Sequence, residues 1–244
     1  MRSETQRKMK LKICGMKHNP VEVSQLQPDY LGFIFYDGSP RFFDLEDMPQ
    51  LSSAIKKVGV FVNAEIGDIL DKINQFDLKI IQLHGTESAE FCVALNAQLG
   101  SKSSEINRAE PVEVRCAEPV EVWKVFGIKD QFDFSILEAY EPYVDKFLFD
   151  TKGKEKGGNG YAFDWSVLRK YPSKKPFILS GGIGQDEIEK LRELSKTDLP
   201  LYGIDVNSKF EIEPGFKDVE KLRKFKEGLF EVLGLKDEGF SRSS

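Results

Sequence analysis

Val58 to Gly85 reads VGVFVNAEIGDILDKINQFDLKIIQLHG. It opens with a short run of β-branched and aromatic residues (VGVFVN), passes through a segment of helical spacing (EIGDILDKINQF) and closes on a second apolar run (KIIQLHG). Both runs are continuous rather than alternating, the pattern of strands buried on both faces. An amphipathic segment between two such strands is the crossover that a parallel pair requires.

The same unit recurs on either side of this stretch. Further apolar runs stand at LKICGM (from Leu11), YLGFIF (from Tyr30), VWKVFGI (from Val122), KFLFDT (from Lys146), PFILSGG (from Pro176) and LYGIDVN (from Leu201), making eight in all. Helical spacing returns in SAEFCVALNAQL, DEIEKLRELS and DVEKLRKFKEGLFEVL. In the last of these, Val219, Leu222, Phe225, Leu229 and Val232 fall at three- and four-residue steps, one apolar face of a helix. Eight strand–helix units in 244 residues predict a closed (β/α)8 barrel, the TIM-barrel class of α/β fold. The rival is an open doubly wound sheet. No G-x-G-x-x-G follows the first strand, which counts against its dinucleotide-binding form.

With 40% hydrophobic and 31% charged residues, the composition is that of a globular protein in water. A net charge of -5 offers no basic field for nucleic acid or for an anionic membrane. No apolar run approaches a membrane span, and the polar start MRSETQRK has no signal-peptide core, so a cytoplasmic location is expected. The three cysteines, Cys14, Cys92 and Cys116, lie far apart with no C-x-x-C, against a disulfide framework or a structural zinc site. Two histidines, His18 and His84, supply little for a histidine-based metal site. Neither metal nor cofactor is expected.

One segment interrupts the rhythm. The hexapeptide AEPVEV at Ala109–Val114 returns at Ala117–Val122. Two copies are too few for a solenoid, and Pro111 and Pro119 discourage a helix. The chain therefore reads as one barrel domain over 9–235, with an inserted loop at about 101–122, a disordered extension over 1–8 and a tail over 236–244. Helix-to-strand loops of a barrel lie on the face opposite the active site, so the insertion and Cys116 are expected to be functionally remote.

Functional groups of a barrel gather where its strands end. Those ends carry Cys14, Arg41 (in FYDGSPRFF), Asn63, His84, Asp150, Ser180–Gly182 and Asp205–Ser208. Gly181 and Gly182 let backbone approach an anion closely, and Asn207 and Ser208 offer N–H groups near a short helix start. Loops after strands seven and eight are the recurrent phosphate site of this fold. His84 is a candidate to orient a substrate group. The glycine-rich GGNGYAFDW, Gly157 to Trp165, is either a lid or a solvated linker. Cys92, in a helical pattern, reads as packing. Lys124, inside strand five, is an alternative reactive group, a Schiff-base lysine if it faces the mouth. Cys14 taken alone is either a small buried hydrophobe or a reactive thiol.

KICGM, GFIFYDGSPR, VGVFVN, IQLHG, FLFDTK…GGNGYAFDW, LSGGI and GIDVNSKFEIEPGFKD follow one another in this order. Together they resemble the phosphoribosylanthranilate isomerase family, over about Met9 to Leu233. The resemblance implies a barrel enzyme of tryptophan biosynthesis, monomeric or homodimeric, whose partner is a small phosphosugar. It implies an Amadori rearrangement, without metal or cofactor, of N-(5'-phosphoribosyl)anthranilate to 1-(2-carboxyphenylamino)-1-deoxyribulose 5-phosphate. Cys14 would then be the general base and Asp150 the general acid. Arg41 would contact the anthranilate side and Asp205 would position the substrate. Gly181, Gly182, Asn207 and Ser208 match the phosphate cradle. Lys209 stands where many members carry glycine, which bears on the backbone angles of that loop, and the doubled hexapeptide is outside the usual pattern.

The chemistry asks for these residue types. Opening the furanose needs a proton on the ring oxygen, so Asp150 must hold its proton well above the usual carboxylate value of about 3.9. The iminium that results acidifies the C2 proton, and a base must take it. A thiol of ordinary pKa, about 8.5, must be lowered for this or must transfer protons in concert. Acid and base must face one another across one substrate, which strands one and six permit. Deleting Ala109–Glu118 is expected to leave turnover of the phosphoribosyl anthranilate near that of the full chain. Lost turnover with an unchanged circular-dichroism spectrum would contradict the remote-face placement.

Overall fold

The structure, a computed structural model, describes residues 9–100, 119–129, 131–151 and 164–234. Val58–Gly85 folds as read: β3 (Lys56–Phe61), α2 (Ile66–Phe76) and β4 (Ile80–Leu83), with β3 and β4 parallel. Its helix turns Ile69, Leu70, Ile73 and Phe76 into the core and stops at Asp77, whose left-handed backbone (φ 52°) lets its N–H reach the Ile73 carbonyl.

The remaining strands are β1 (Lys10–Cys14), β2 (Tyr30–Ile34), β5 (Glu121–Ile128), β6 (Lys146–Thr151), β7 (Phe177–Leu179) and β8 (Leu201–Val206). All eight pair in chain order, and β8 returns to β1 with Ile13 beside Val206, so the sheet is closed and the open-sheet rival is excluded. The other α-helices among the described residues are α1 (Pro20–Ser24), α3 (Ala89–Gly100), α4 (Ile188–Ser195) and α5 (Val219–Leu233). In α5 the expected face buries Leu222, Phe225 and Leu229; Asp218 caps the start by accepting from Lys221 N, and Gly234, at φ 65°, ends it. A two-stranded antiparallel hairpin, β9 (Glu211–Glu213) and β10 (Phe216–Lys217), follows β8.

Alternate residues of each strand fill the barrel. Tyr30, Val58, Ile80, Trp123, Val125, Leu148 and Ile178 form the interior cluster, with Tyr202 against it. The residues between them, such as Ile13, Leu31, Phe147, Phe149 and Ile204, join the outer core under the helices and loops. The floor of the barrel is polar and satisfied: Tyr30 and Tyr202 share a hydrogen bond of 2.6 Å, the Trp123 indole donates to Glu121, and Lys146 pairs with Glu121.

Not every strand is followed by a regular helix, which corrects the simple eight-unit expectation. Residues 35–55, between β2 and β3, hold only turns and one isolated bridge, Ile34 to Phe42. Gly38, Pro40 and Pro49 interrupt any helix there. Aromatic packing covers the barrel instead: Phe35 stacks on Phe61 and Phe76, each 5.3 Å away, while Phe43 meets Phe33 edge-on at 5.0 Å. After β5 the described connection is two 3₁₀ turns, Phe134–Leu137 and Glu141–Tyr143, and Trp165–Lys170 before β7 is another.

Lys124 does not fit the alternative role of a reactive lysine. It shares its parity with Val122 and Phe126 of the outer core, so it points away from the mouth. Its Nζ is buried, 3.0 Å from Glu87 and donating to the Gly85 carbonyl at 2.9 Å. That ammonium is a structural tie and not a Schiff-base nucleophile. The first copy of the repeat, Cys116 and the first two residues of the second copy fall in 101–118, outside the described residues. The flanks, the end of α3 and the start of β5, lie where strands begin, and Glu121 and Val122 already belong to β5. No described helix is long and apolar enough to cross a membrane.

Trp123→Ala empties the middle of the barrel and strips Glu121 of a donor. Urea denaturation is expected to show a loss of about 3–5 kcal/mol; a loss below about 1 kcal/mol would mean that the interior cluster does not carry the barrel.

Candidate active site at the C-terminal mouth of the barrel

The alternation of K-L-K-I-C puts Leu11 and Ile13 into the outer core and Lys12 and Cys14 inside the barrel. Cys14 is the last residue of β1 and lies opposite Gly32 of β2. A Cβ at Gly32 would sit 2.8 Å from Cys14 Sγ and 3.1 Å from Lys12 Nζ, so the missing side chain makes room for thiol and ammonium. The chain then turns through Gly15, at φ +73°. A Cβ there would meet Asn207 Oδ1 at 2.7 Å and Arg41 Cδ at 2.8 Å, so this turn rests directly on the loops that follow β2 and β8.

Asp205 reaches inward from β8. Lys12 Nζ lies 2.8 Å from its Oδ2, and the two side chains are only 1% and 6% exposed. The other oxygen, Oδ1, is buried with no hydrogen-bond partner. Burial pushes the Asp205 carboxyl above its usual range against the charge and bond of Lys12, and nearby Asp150 pushes the same way. Burial likewise raises the Cys14 thiol; the neighbouring Lys12 ammonium and the charge of Lys217 oppose that rise, while Asp205 adds to it.

Asp150 has the inward parity of Leu148 and stands at the end of β6. Its Oδ1 accepts from Thr151 N at 2.9 Å, and its Oδ2 is 3.4 Å from His84 Nε2. The other nitrogen of His84 is 3.4 Å from Gln82 Nε2, and Gln82, inward-facing on β4, is buried with its Oε1 unpartnered. Two buried acceptors without donors thus belong to inward-facing residues of β4 and β8.

Arg41 is held by a carboxylate that sequence reading did not single out. Its Nε donates to both oxygens of Glu211, at 2.9 and 3.0 Å, and its Nη2 donates to Oε2 at 2.6 Å. Lys217 Nζ donates to the same Glu211 at 2.7 Å and to Asn207 Oδ1 at 2.6 Å. Asn19 brackets the Lys217 backbone, accepting from its N–H and donating to its carbonyl. Burial would raise the Glu211 carboxyl, but Arg41 and Lys217 outweigh it and hold the group below its usual value. Burial depresses the Lys217 ammonium.

Gly181 and Gly182 follow β7 with φ of 90° and 69°. A Cβ on Gly181 would be 2.3 Å from Thr151 Oγ1, so the loop lies flat on the end of β6 beside Asp150. Asn207 leads into the 3₁₀ turn Ser208–Phe210, anchored where Phe210 packs on Phe225 at 4.8 Å. Lys209 lies within this turn and is not among the described non-glycine residues of positive φ, which are Gln27, Asn63 and Asp77. Replacing glycine here imposes no left-handed strain. Asn63, another strand-end candidate, is a loop staple: its Oδ1 accepts from Thr86 N at 2.6 Å. Of the glycine-rich segment, residues 157–163 lie outside the described residues.

The mouth therefore gathers Cys14, Asp150, His84 and Asp205, with Arg41 and Asn207 at the Gly15 side and Gly181 at the β6 side. Sequence reading missed Lys12, Gln82, Glu211 and Lys217. Lys12 left a signal, a charged residue in phase with Cys14 inside a central strand. Glu211 left none that separates it from its neighbour Glu213. Among the described residues no three His, Cys, Asp or Glu converge as a metal site.

A family model described as N-(5'phosphoribosyl)anthranilate (PRA) isomerase matches residues 11–115 and 104–228. The N-(5'-phosphoribosyl)anthranilate isomerase of Parabacteroides distasonis is 40% identical over 227 residues, spanning 89% of this chain and 91% of its own. That of Caldanaerobacter subterraneus is 32% identical over 224 residues, spanning 89% and 96%. The crystal structure of phosphoribosyl anthranilate isomerase from Thermotoga maritima superposes with a TM-score of 0.67 at 27% identity, covering 91% of this chain and 98% of that one.

Glu211→Gln keeps the shape of the loop tie but leaves the Arg41 and Lys217 cations without their shared anion. The expected cost at neutral pH is about 3–5 kcal/mol. The folded Glu211 carboxyl titrates below its unfolded value of about 4.3, so its stabilisation is complete above that value and fades as pH falls through the folded one. Urea midpoints across pH should therefore converge for the two proteins only in acid.

Proposed function

The chain belongs to the N-(5'-phosphoribosyl)anthranilate isomerase family, and we propose that it converts N-(5'-phosphoribosyl)anthranilate to 1-(2-carboxyphenylamino)-1-deoxyribulose 5-phosphate in the cytoplasm. The observation that carries the reading is the common compartment of Cys14 and Asp150. Both are inward-facing residues at the ends of their strands, β1 and β6, and the ends of all eight strands share one mouth.

Asp150 passes its proton to the furanose oxygen, and the C1–O bond opens to an iminium. The electron pair of the C2–H bond then moves toward the iminium as Cys14 takes the proton. The resulting enolamine tautomerises to the ketone. Each positioned acid or base of this kind contributes on the order of 10²–10⁴ in rate. His84, against Asp150 Oδ2, orients the acid. The unpartnered Asp205 Oδ1 accepts a sugar hydroxyl, which satisfies a buried acceptor that otherwise has none. Arg41, already aimed by Glu211 through Nε and Nη2, turns its other edge toward the anthranilate carboxylate. The N–H groups around Gly181, Gly182, Asn207 and Ser208 take the phosphate, and that remote binding orients the reacting carbon.

The direct test supplies N-(5'-phosphoribosyl)anthranilate and follows its fluorescence; a wild-type protein that fails to consume it refutes the reading. Cys14→Ala and Asp150→Asn are each expected to lower kcat by more than tenfold with product affinity nearly unchanged. Arg41→Ala should act mainly on KM. An Asp150→Asn enzyme with wild-type kcat would remove the acid from this scheme.

A further inference from the structure

Lys12 has no part in the proton transfers above, yet its position is more constrained than that of any residue in them. It rises from β1 one inward step below Cys14 and is 1% exposed. Its Nζ makes a 2.8 Å bond to Asp205 Oδ2 and lies beside the Cys14 sulfur, the two crowding the same space over Gly32. Opposite, β2 offers the bare backbone of Gly32, where any Cβ would crowd both Sγ and Nζ. An ammonium sealed from water is costly unless it is paired, and here it is paired on two sides.

We propose that Lys12 is the positioning residue of the base: its ammonium is the counter-ion that holds the Cys14 thiolate, and Asp205 holds the ammonium in place. The proposal deepens the isomerase reading of this mouth and rests on it. In the thiolate state the ammonium stands between two anions, the sulfur and the Asp205 carboxylate. When C2 gives up its proton, an S–H bond forms, the C–H electrons enter the C1–C2 double bond, and the iminium charge is quenched. Lys12 is then balanced by Asp205 alone, so the buried cation always has an anion. The other charges that face Cys14 are already engaged. Lys217, on β10, is bonded to Glu211 and Asn207. Arg41, across Gly15, is bonded to Glu211. The charges of Asp150 and His84 bear on Asp205, and the two side chains meet each other at 3.4 Å.

The test titrates the thiolate by its ultraviolet absorbance, without substrate, in a Cys92→Ala/Cys116→Ala background where Cys14 is the remaining cysteine. Lys12→Met is expected to move the titration upward by about one unit or more. Asp205→Asn is expected to move it downward, because the amide no longer competes with sulfur for the ammonium. A side chain that only supported the fold would move both variants in one direction or neither. In turnover, Lys12→Met should lose more than about tenfold in kcat with KM within about threefold. An unmoved titration in Lys12→Met, or shifts of the same sign in both variants, overturns the proposal. If circular dichroism shows Lys12→Met unfolded, Asp205→Asn decides: a lower titration supports the pairing, an unchanged or higher one overturns it. The two readings fail separately. Opposite shifts in a protein that does not consume the phosphoribosyl anthranilate refute the isomerase assignment alone, and turnover with an unmoved Lys12→Met titration refutes the pairing alone.

Discussion

A lysine ammonium and an aspartate carboxylate 2.8 Å apart, sealed inside the barrel, join the first strand to the last. Everything at the mouth is arranged around that pair. It sits where β1 and β8 close the sheet, with Cys14 above it on one strand and the loop of Asn207 above it on the other. A buried ion pair of this kind is a weak source of stability, because the loss of hydration offsets most of the attraction between the charges. Its effect is positional. Moving either strand by one residue would turn the charge into the apolar outer core, so the pair ties the register of the closure to the geometry of the site.

A second carboxylate does for the loops what Asp205 does for the strands. Glu211 gathers Arg41 from the loop after β2 and Lys217 from the hairpin after β8, while Asn19, after β1, holds the Lys217 backbone. Three loops far apart in sequence thereby meet on one buried group. Glu87 repeats the device on the other side of the mouth, joining Lys124 to the backbone of Asn63 and Gly85. The mouth is therefore a ring of strand ends clamped by two buried carboxylates. The groups left over for chemistry are the partly exposed Asp150 and His84, the thiol, and two acceptors without donors.

Among the described residues the scaffold beneath is leaner in helix than its class suggests. Where no helix follows β2, the Phe33, Phe35, Phe43, Phe61 and Phe76 rings shield the barrel wall, and Lys72 lies 5.1 Å from the Phe76 ring. A second aromatic group, Phe132, Phe134, Phe149 and Tyr171, does the same around β6. Bulky rings cover as much apolar surface as a helix face does, so the strands keep both sides dry without one.

The sequence by itself determined the eight strands, their parallel order and the place of Cys14 and Asp150 at strand ends. Each of these follows from a local period: continuous apolar runs mark strands buried on both faces, and a step of two residues assigns every side chain to a face. The same rule, applied to β5, already sets Lys124 outside once Trp123 is known to fill the interior, but which parity is interior is a property of the closed barrel. Only the tertiary structure decided the partners. Lys12 meets Asp205 across 193 residues and Arg41 meets Glu211 across 170, and no local pattern encodes a contact at that separation. The aromatic cover after β2 was also decided there: Gly38, Pro40 and Pro49 bar a helix locally, but that Phe35 and Phe43 meet Phe61 and Phe76 is a contact only the fold makes. Charges buried in a core acquire their roles from what the fold places against them, and so the site's electrostatics, unlike its strands, could be read only in three dimensions.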